Sequence, residues 1–240
     1  MLAALAWGVS LEATRPRSWR RSVRGEFQRT LRQTTGGGLA TALVMAVLTG
    51  LALVSQALYW LGFAGEAELE GTVLVTVLVQ ELAPLLVGVA LLGRSGPVTV
   101  MELGQLQTGG QVRALVGQGI DPMLLLVLPR ACAFALASFT LGMLFVLVAL
   151  LVGYATGSLL GSVQESLWSF LNDVLEAIQG ANFVIFPAKM LCIGFLIGLT
   201  ACLTGLTARP GDGAERLLPR GFVRGVLVIM LTSVVLSFAA

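Results

Sequence analysis

The sequence contains no histidine and a single lysine, and only three of its 240 residues are cysteine. The three cysteines, Cys132, Cys192 and Cys202, all lie inside apolar runs and show no paired spacing. These absences exclude histidine-based catalysis, a Cys/His zinc site and a disulfide framework. The chain also lacks the Gly-x-x-x-x-Gly-Lys-Ser/Thr loop that holds the phosphates of ATP. We therefore expect no enzymatic activity and no cofactor in this chain.

Charge is scarce as well, at 12% of residues, whereas 56% are hydrophobic and the mean hydropathy is +0.90. Soluble domains carry about twice that share of charged residues, so this composition indicates a membrane protein. A helix needs roughly 20 apolar residues to cross a bilayer. Five such runs are present, and they predict an all-α membrane protein with spans at about residues 36–62, 72–92, 131–160, 183–207 and 222–240.

The arginines predict the orientation of these spans. Seven precede the first span, three lie between or at the edges of spans two and three, and four surround the turn from span four to span five. The two remaining loops carry only acidic charges. Because arginine and lysine in short loops mark the cytoplasmic side, we expect a cytoplasmic N-terminus and a C-terminus on the outer side.

Residues 1–35 form a basic segment that we assign apart from the five-helix region, residues 36–240. Its apolar side chains recur every four positions between arginines, at Trp19, Val23, Phe27 and Leu31. This pattern predicts an amphipathic helix on the cytoplasmic leaflet, and a solvated basic tail is the alternative. The arginines follow the apolar stretch 2–11 instead of preceding it, which is not the order of a cleaved signal peptide, so we expect the N-terminus to be retained.

Two connecting segments have helical patterns of their own. Residues 102–119, on the predicted cytoplasmic side, place leucines and valines among polar residues and end in Gly119-Ile-Asp-Pro122, a helix stop followed by a new start at Asp121. Residues 163–180, on the opposite side, space apolar residues as an amphipathic helix does. We expect a short cytoplasmic helix and an outer-face helix.

Two ionisable residues lie inside the predicted spans, Glu81 near the middle of span two and Lys189 one to two turns into span four. A charge at bilayer depth costs about 3 kcal/mol on insertion scales, so such residues usually face a cavity or each other. The alternatives are a neutral packing role for Glu81 and snorkelling of Lys189 to the interface. Pro84 would free a backbone carbonyl near Glu81 and favours an irregular, cavity-lining spot.

A run of short motifs resembles the MlaE-type permeases that work with MCE proteins. In order they are Glu81-Leu-Ala-Pro84, Gly93-Arg94-Ser95-Gly96, Glu102-Leu-Gly104, Gly119-Ile-Asp-Pro122 and Pro129-Arg130. Ala188-Lys189 and Gly211-Asp-Gly-Ala214 resemble the family's fourth span and the loop after it. Together these motifs cover about half of the chain.

The resemblance implies a homodimeric permease of an ABC-type lipid transporter in the bacterial inner membrane, with its C-terminus in the periplasm. Two copies of a cytoplasmic ABC ATPase would bind ATP and magnesium, and a hexameric MCE protein would lie on the periplasmic side. Phospholipid would occupy a cavity at the dimer axis, with Glu81 and Lys189 among its polar groups. We expect no nucleic-acid partner. The segment that docks on the ATPase would include Glu102, Gln111, Arg113, Leu115, Asp121 and Pro122.

Three positions depart from the family pattern. The docking helix of the family usually carries Glu-Gln, often with Asp two positions later, where this chain has Gly110 and Arg113. A docking surface that is negative in the family is therefore positive here. An altered ATPase, docking by shape and a different partner all remain open. Gln80 stands where the family often has a basic residue, which weakens a lipid-phosphate contact at that position.

A different class of function is a noncatalytic membrane scaffold that anchors an assembly without moving substrate. A secondary transporter is disfavoured, because only two ionisable residues lie in the spans and no inverted repeat is visible. A lipid-occupied cavity at Glu81 and Lys189 would distinguish a transporter from a scaffold.

Overall fold

The computed structural model describes residues 8–9, 11–12, 21–64, 76–159, 168, 172, 182–209 and 211–238. Among these residues every regular element is helical. The α-helices are α1 (Arg21–Ala64), α2 (Ala83–Thr108), α3 (Gln111–Gly117), α4 (Leu128–Leu159), α5 (Asn182–Leu206) and α6 (Ala214–Phe238). Two π-helical segments, Thr76–Leu82 and Met123–Val127, lead directly into α2 and α4.

Five of these helices are long and apolar enough to cross a membrane, namely α1, α2, α4, α5 and α6. The protein is therefore an all-α, multi-pass membrane protein, as its composition predicts. The short helix α3 lies between the second and third spans.

The bundle is organised around α4 and α5. Helix α4 packs along α1 on one side and along α5 on the other, and α5 also contacts α2 and α6. The contact between α4 and α5 is close because α5 presents glycines to it. A Cβ atom at Gly194 would lie 2.5 Å from the backbone oxygen of Phe134, and one at Gly198 would lie 2.9 Å from the Cα of Ala131. Around this seam the core is filled by Phe134, Met190, Ile193 and Ile197, all fully buried.

Helix α1 does not end at residue 35, where we separated the basic segment from the first span. It runs without interruption from Arg21 to Ala64, through three consecutive glycines at 36–38. Two of these glycines leave room for neighbouring side chains, since Arg94 lies against Gly37 and Leu141 lies against Gly38. Residues 21–35 therefore extend the first span, and their position on a membrane surface stays a prediction.

The predicted cytoplasmic helix 102–119 is divided between two helices. Helix α2 continues to Thr108, well past the predicted end of span two at residue 92. The chain then turns at Gly110, whose φ of 76° is the left-handed conformation that glycine adopts most easily, and α3 follows. Gly119 (φ 74°) ends the second piece, and the Asp121 carboxylate accepts a hydrogen bond from the Met123 amide at 2.9 Å. The predicted stop and new start are thus confirmed.

The remaining spans differ from the prediction mainly at their ends. Helix α4 begins at Leu128 instead of residue 131, and α6 begins at Ala214 instead of residue 222. The predicted ends stopped at charged residues, whereas the helices continue past arginines whose side chains reach solvent or ion-pair partners. The predicted outer-face helix 163–180 lies outside the described residues, apart from positions 168 and 172.

The α4–α5 seam leads to a prediction about glycine. Gly194→Ala should destabilise the protein by about 1–3 kcal/mol, because the added methyl group meets backbone that cannot move aside. Gly93→Ala is the matched control, since nothing lies within 4 Å of a Cβ at that helical position. Thermal unfolding of the detergent-solubilised variants measures both. Equal melting temperatures for the two variants would contradict the close approach of α4 and α5.

Candidate functional site

Glu81 and Lys189 lie side by side, although 108 positions separate them in the sequence. The Lys189 Nζ atom is 3.2 Å from Glu81 Oε1, so the two residues form an ion pair between α5 and the π-helical turn before α2. Lys189 lies about two turns into α5, and Glu81 is at the same level. The mid-span depth expected for Glu81 stays a prediction.

The backbone before α2 supplies a second ligand to the lysine. Lys189 Nζ donates a hydrogen bond of 2.8 Å to the carbonyl oxygen of Gln80. In an α-helix that carbonyl would accept from the amide of residue 84, but residue 84 is proline and has no N–H. The carbonyl freed by Pro84, expected from the sequence, is thus the one that binds the ammonium group.

Ser237 completes this group of polar atoms, and sequence reasoning missed it. Its hydroxyl donates to Glu81 Oε1 at 2.6 Å and lies 2.9 Å from Lys189 Nζ. Ser237 is in the last turn of α6, so the cluster joins three of the five spanning helices. The available signal was the pair Ser233 and Ser237, two serine hydroxyls one helical turn apart in a largely apolar segment.

The two charges differ in exposure. The Lys189 side chain is 4% exposed, whereas the Glu81 side chain is 46% exposed. Lys189 therefore does not snorkel to the interface: its ammonium group is held inside the bundle by three oxygen atoms. The Glu81 carboxylate is instead half-exposed and forms a polar patch on the outside of this bundle.

A second group of charges, the arginine–glutamate cluster, consists of Glu26, Arg29, Glu102 and Arg130. Arg130 Nη2 lies 2.7 Å from Glu26 Oε1 and 3.1 Å from Glu102 Oε2, and the Arg130 side chain is 4% exposed. Arg29 Nη2 approaches Glu102 Oε1 at 3.7 Å. The cluster ties α1, α2 and α4 together. Sequence reasoning passed over Glu26, whose signal was its position as the only acidic residue among the arginines of residues 15–32.

Glu102 belongs to this cluster and therefore differs in its surroundings from the other predicted docking residues. Both of its carboxylate oxygens face arginines, so it holds helices together. The α3 segment is different, because none of its residues is buried. Gln111 and Arg113 are exposed there, while Leu115 packs partly against the apolar cluster that contains Leu103. Asp121 and Pro122 form the turn that starts the next helix, with Asp121 exposed.

Comparisons with known proteins identify relatives of this chain. Residues 27–239 match the family model described as Permease MlaE. A protein of Synechocystis named probable ABC transporter permease protein is 29% identical over 201 residues, which are 83% of this chain and 76% of that protein. Similarly named proteins of Pyropia yezoensis and Rickettsia prowazekii are 23% and 24% identical, over 84% and 69% of this chain and 76% and 64% of their own lengths.

Because Lys189 is buried and Glu81 is half-exposed, variants at the two positions should differ in stability. Glu81→Gln should destabilise the protein more than Lys189→Met, because the first change leaves a buried ammonium group without its counter-charge. Removing one partner of a fully buried pair costs about 3–5 kcal/mol, and the half-exposed Glu81 carboxylate lowers the cost here. The double variant should be more stable than Glu81→Gln alone. Thermal unfolding of the three variants in one detergent measures this, and additive effects in the double variant would argue against the pairing.

Proposed function

The chain belongs to the MlaE permease family, and we propose that it is the membrane subunit of a complex that moves phospholipid between the inner membrane and an MCE protein. Permeases of ABC transporters are transport subunits that work with an ATPase, so the energy for transport comes from a partner chain. Within that general role, phospholipid is the substrate that we assign to this permease.

One observation carries the choice of substrate path, namely the half-exposed carboxylate of Glu81 on a membrane-spanning bundle. A charge facing hydrocarbon costs about 3 kcal/mol or more. The carboxylate is bound on one side by Lys189 and Ser237, and its open side needs a polar environment outside this bundle. A cavity that admits water and lipid headgroups meets that need, which supports Glu81 and Lys189 as polar groups of a lipid cavity.

A homodimer provides such a cavity. If two copies meet about an axis beside Glu81, the two open carboxylates face a shared space instead of acyl chains. The exposed apolar side chains of α6, among them Leu227, Leu231 and Val234, give this neighbouring helix a surface that packs against lipid or against a second copy. We therefore propose that the lipid cavity lies at the axis of a homodimer.

The two ends of the bundle differ in charge, and we use this difference to assign the ATPase and the MCE protein. The α3 end carries the arginines, and we propose that it faces the cytoplasm and the ABC ATPase. The end that carries Glu81 and Ser237 then faces the periplasm, where a hexameric MCE protein would exchange lipid with the cavity. This orientation puts the N-terminus in the cytoplasm and the C-terminus in the periplasm of a bacterial cell.

The lipid path can be tested with the double variant Glu81→Gln, Lys189→Met. Reconstituted with its ATPase and MCE partners, this variant should assemble and hydrolyse ATP but transfer phospholipid several-fold more slowly, because the polar cavity wall is gone. Thr140→Val is the control, since Thr140 is exposed and its hydroxyl donates to the carbonyls of Leu136 and Ala137 in its own helix instead of to the Glu81 cluster. Transfer of labelled phospholipid to the MCE protein is the measurement. Wild-type transfer by the assembled double variant would refute the proposed path.

The docking surface can be tested through Arg113, which is exposed on α3 and stands where the family often has an acid. We expect it to meet an acidic patch on the ATPase. Arg113→Glu should then weaken assembly by a few kcal/mol through repulsion and an unpaired charge. Arg216→Glu, the same change at an exposed site of α6, should have little effect.

An acid-to-base change on the ATPase should restore assembly with Arg113→Glu, as measured by co-purification and ATPase-binding affinity. Unchanged affinity in Arg113→Glu would show that α3 docks by shape alone.

A further inference from the structure

A polar cavity of about 230 Å³ lies between α1, α2 and the start of α4, at the opposite end of the bundle from Glu81. Its buried walls are formed by five polar side chains, Thr30, Thr34, Ser95, Thr99 and Arg130, and the partly buried Glu102 also lines it. Its mouth is lined by the exposed residues Gln33, Arg94 and Val98. The lining is therefore rich in hydrogen-bond donors, although the helices around it are apolar.

The charges around this cavity do not cancel. In the arginine–glutamate cluster, the two arginines balance the two glutamates. Arg94 is in addition to these, and within the described part of the chain no carboxylate lies within 4.0 Å of it. Its one polar contact there is a hydrogen bond of 3.4 Å to the hydroxyl of Thr41. Arg130 Nη1 is buried and has no partner among the described residues. The cavity thus has a net positive charge and unused donor capacity.

The position of Arg94 along α2 places this charge at the edge of the hydrocarbon layer. Arg94 is thirteen residues after Glu81, about 20 Å along a helix, and Glu102 is about 12 Å farther on. A hydrocarbon core about 30 Å thick that starts at Leu78, the first residue of this span, would end between Arg94 and Glu102, so we place the cavity at the acyl-chain boundary. Its mouth, at Gln33, Arg94 and Val98, is exposed on the side of the bundle.

Size and charge together select the ligand. The volume is below the range of about 300–1,000 Å³ that pockets for drug-sized molecules occupy, so a headgroup fits and a whole lipid does not. Basic pockets between spanning helices on the cytoplasmic side are a recurrent way to hold anionic headgroups. Arginine is the residue suited to bind phosphate through paired hydrogen bonds.

We propose that this cavity binds a phosphate group, with the phosphate of a phospholipid in the adjacent leaflet as its source. Arg94 contacts the phosphate at the mouth, and Gln33, Thr30 and Thr34 donate hydrogen bonds from the walls, whereas the Thr99 hydroxyl already donates to the Ser95 carbonyl. The site is separate from the Glu81 cluster and does not depend on transport. A soluble phosphate compound shares the same chemistry, and the experiment distinguishes the two sources.

The test measures phosphatidylglycerol binding to the detergent-solubilised full chain, with diacylglycerol of the same acyl chains and inorganic phosphate as the other probes. Arg94→Gln should weaken phosphatidylglycerol binding at least about tenfold, since a charged hydrogen bond contributes about 1.5–3 kcal/mol. Arg224→Gln is the matched control. Arg224 is exposed, and it precedes Ser237 by thirteen residues just as Arg94 follows Glu81 by thirteen, so the two arginines lie at the same depth.

A second variant leaves the charge in place. A Cβ atom at Gly37 would lie 3.2 Å from Arg94 Nε, so Gly37→Leu displaces the guanidinium group and should also weaken binding. Each measurement is repeated in the Glu81→Gln, Lys189→Met background, so that lipid at the Glu81 cluster is not counted and the outcome is independent of the proposed lipid path.

Loss of binding in Arg94→Gln and Gly37→Leu but not in Arg224→Gln, with diacylglycerol unaffected, supports the site. If inorganic phosphate displaces phosphatidylglycerol, the site takes soluble phosphates as well, and if it does not, the lipid is the source. Unchanged binding in Arg94→Gln, equal loss in Arg224→Gln, or equal affinity for diacylglycerol would overturn the proposal.

Discussion

The buried ammonium group of Lys189 is the constraint on which much of this structure depends. A cation inside a membrane-spanning bundle must be matched by oxygen atoms, and three different segments provide them: the Glu81 carboxylate, the Gln80 carbonyl and the Ser237 hydroxyl. Pro84 is part of the same solution, because it has no N–H for the Gln80 carbonyl and so leaves that carbonyl available to the ammonium group. The ends of α2, α5 and α6 are thereby fixed relative to one another, and the carboxylate is left with one open side.

A second polar cluster balances the first at the other end of the bundle. Arg130 holds Glu26 and Glu102, which joins α1, α2 and α4 close to the α3 segment. Between these two ends the helices pack through apolar side chains and glycine contacts, which set the distance between helices but constrain their relative orientation little. The polar clusters fix that orientation. A movement of α3 driven by an ATPase would reach the spanning helices through the Arg130 end, since α2 carries Glu102 only a few residues before α3 begins.

The substitutions in α3 fit this division of roles. Arg113 is exposed and Gly110 is half-buried where they depart from the family pattern, whereas Glu102, Arg130, Glu81 and Lys189 match that pattern and are held by partners within the chain. A docking surface can change its charge together with its partner, but a buried ion pair cannot lose one member without leaving an unpaired charge. Variation at α3 therefore leaves the internal framework of the permease intact.

The sequence by itself determined the class of the protein, its five spans and the cost of placing Glu81 and Lys189 in them, because hydropathy and the properties of proline act locally. It also indicated the stop at Gly119 and the start at Asp121, since those signals depend on single residues. Only the tertiary structure decided that Glu81 and Lys189 form a pair and that Ser237 belongs to the same group. It likewise decided that Glu26 belongs to the arginine–glutamate cluster and that Glu102 faces arginines. It also showed that helices continue past charged residues. Helix α1 runs through the predicted boundary at residue 35, and α2 continues beyond the predicted end of span two at residue 92. These features depend on contacts between segments distant in the chain, which no local pattern encodes.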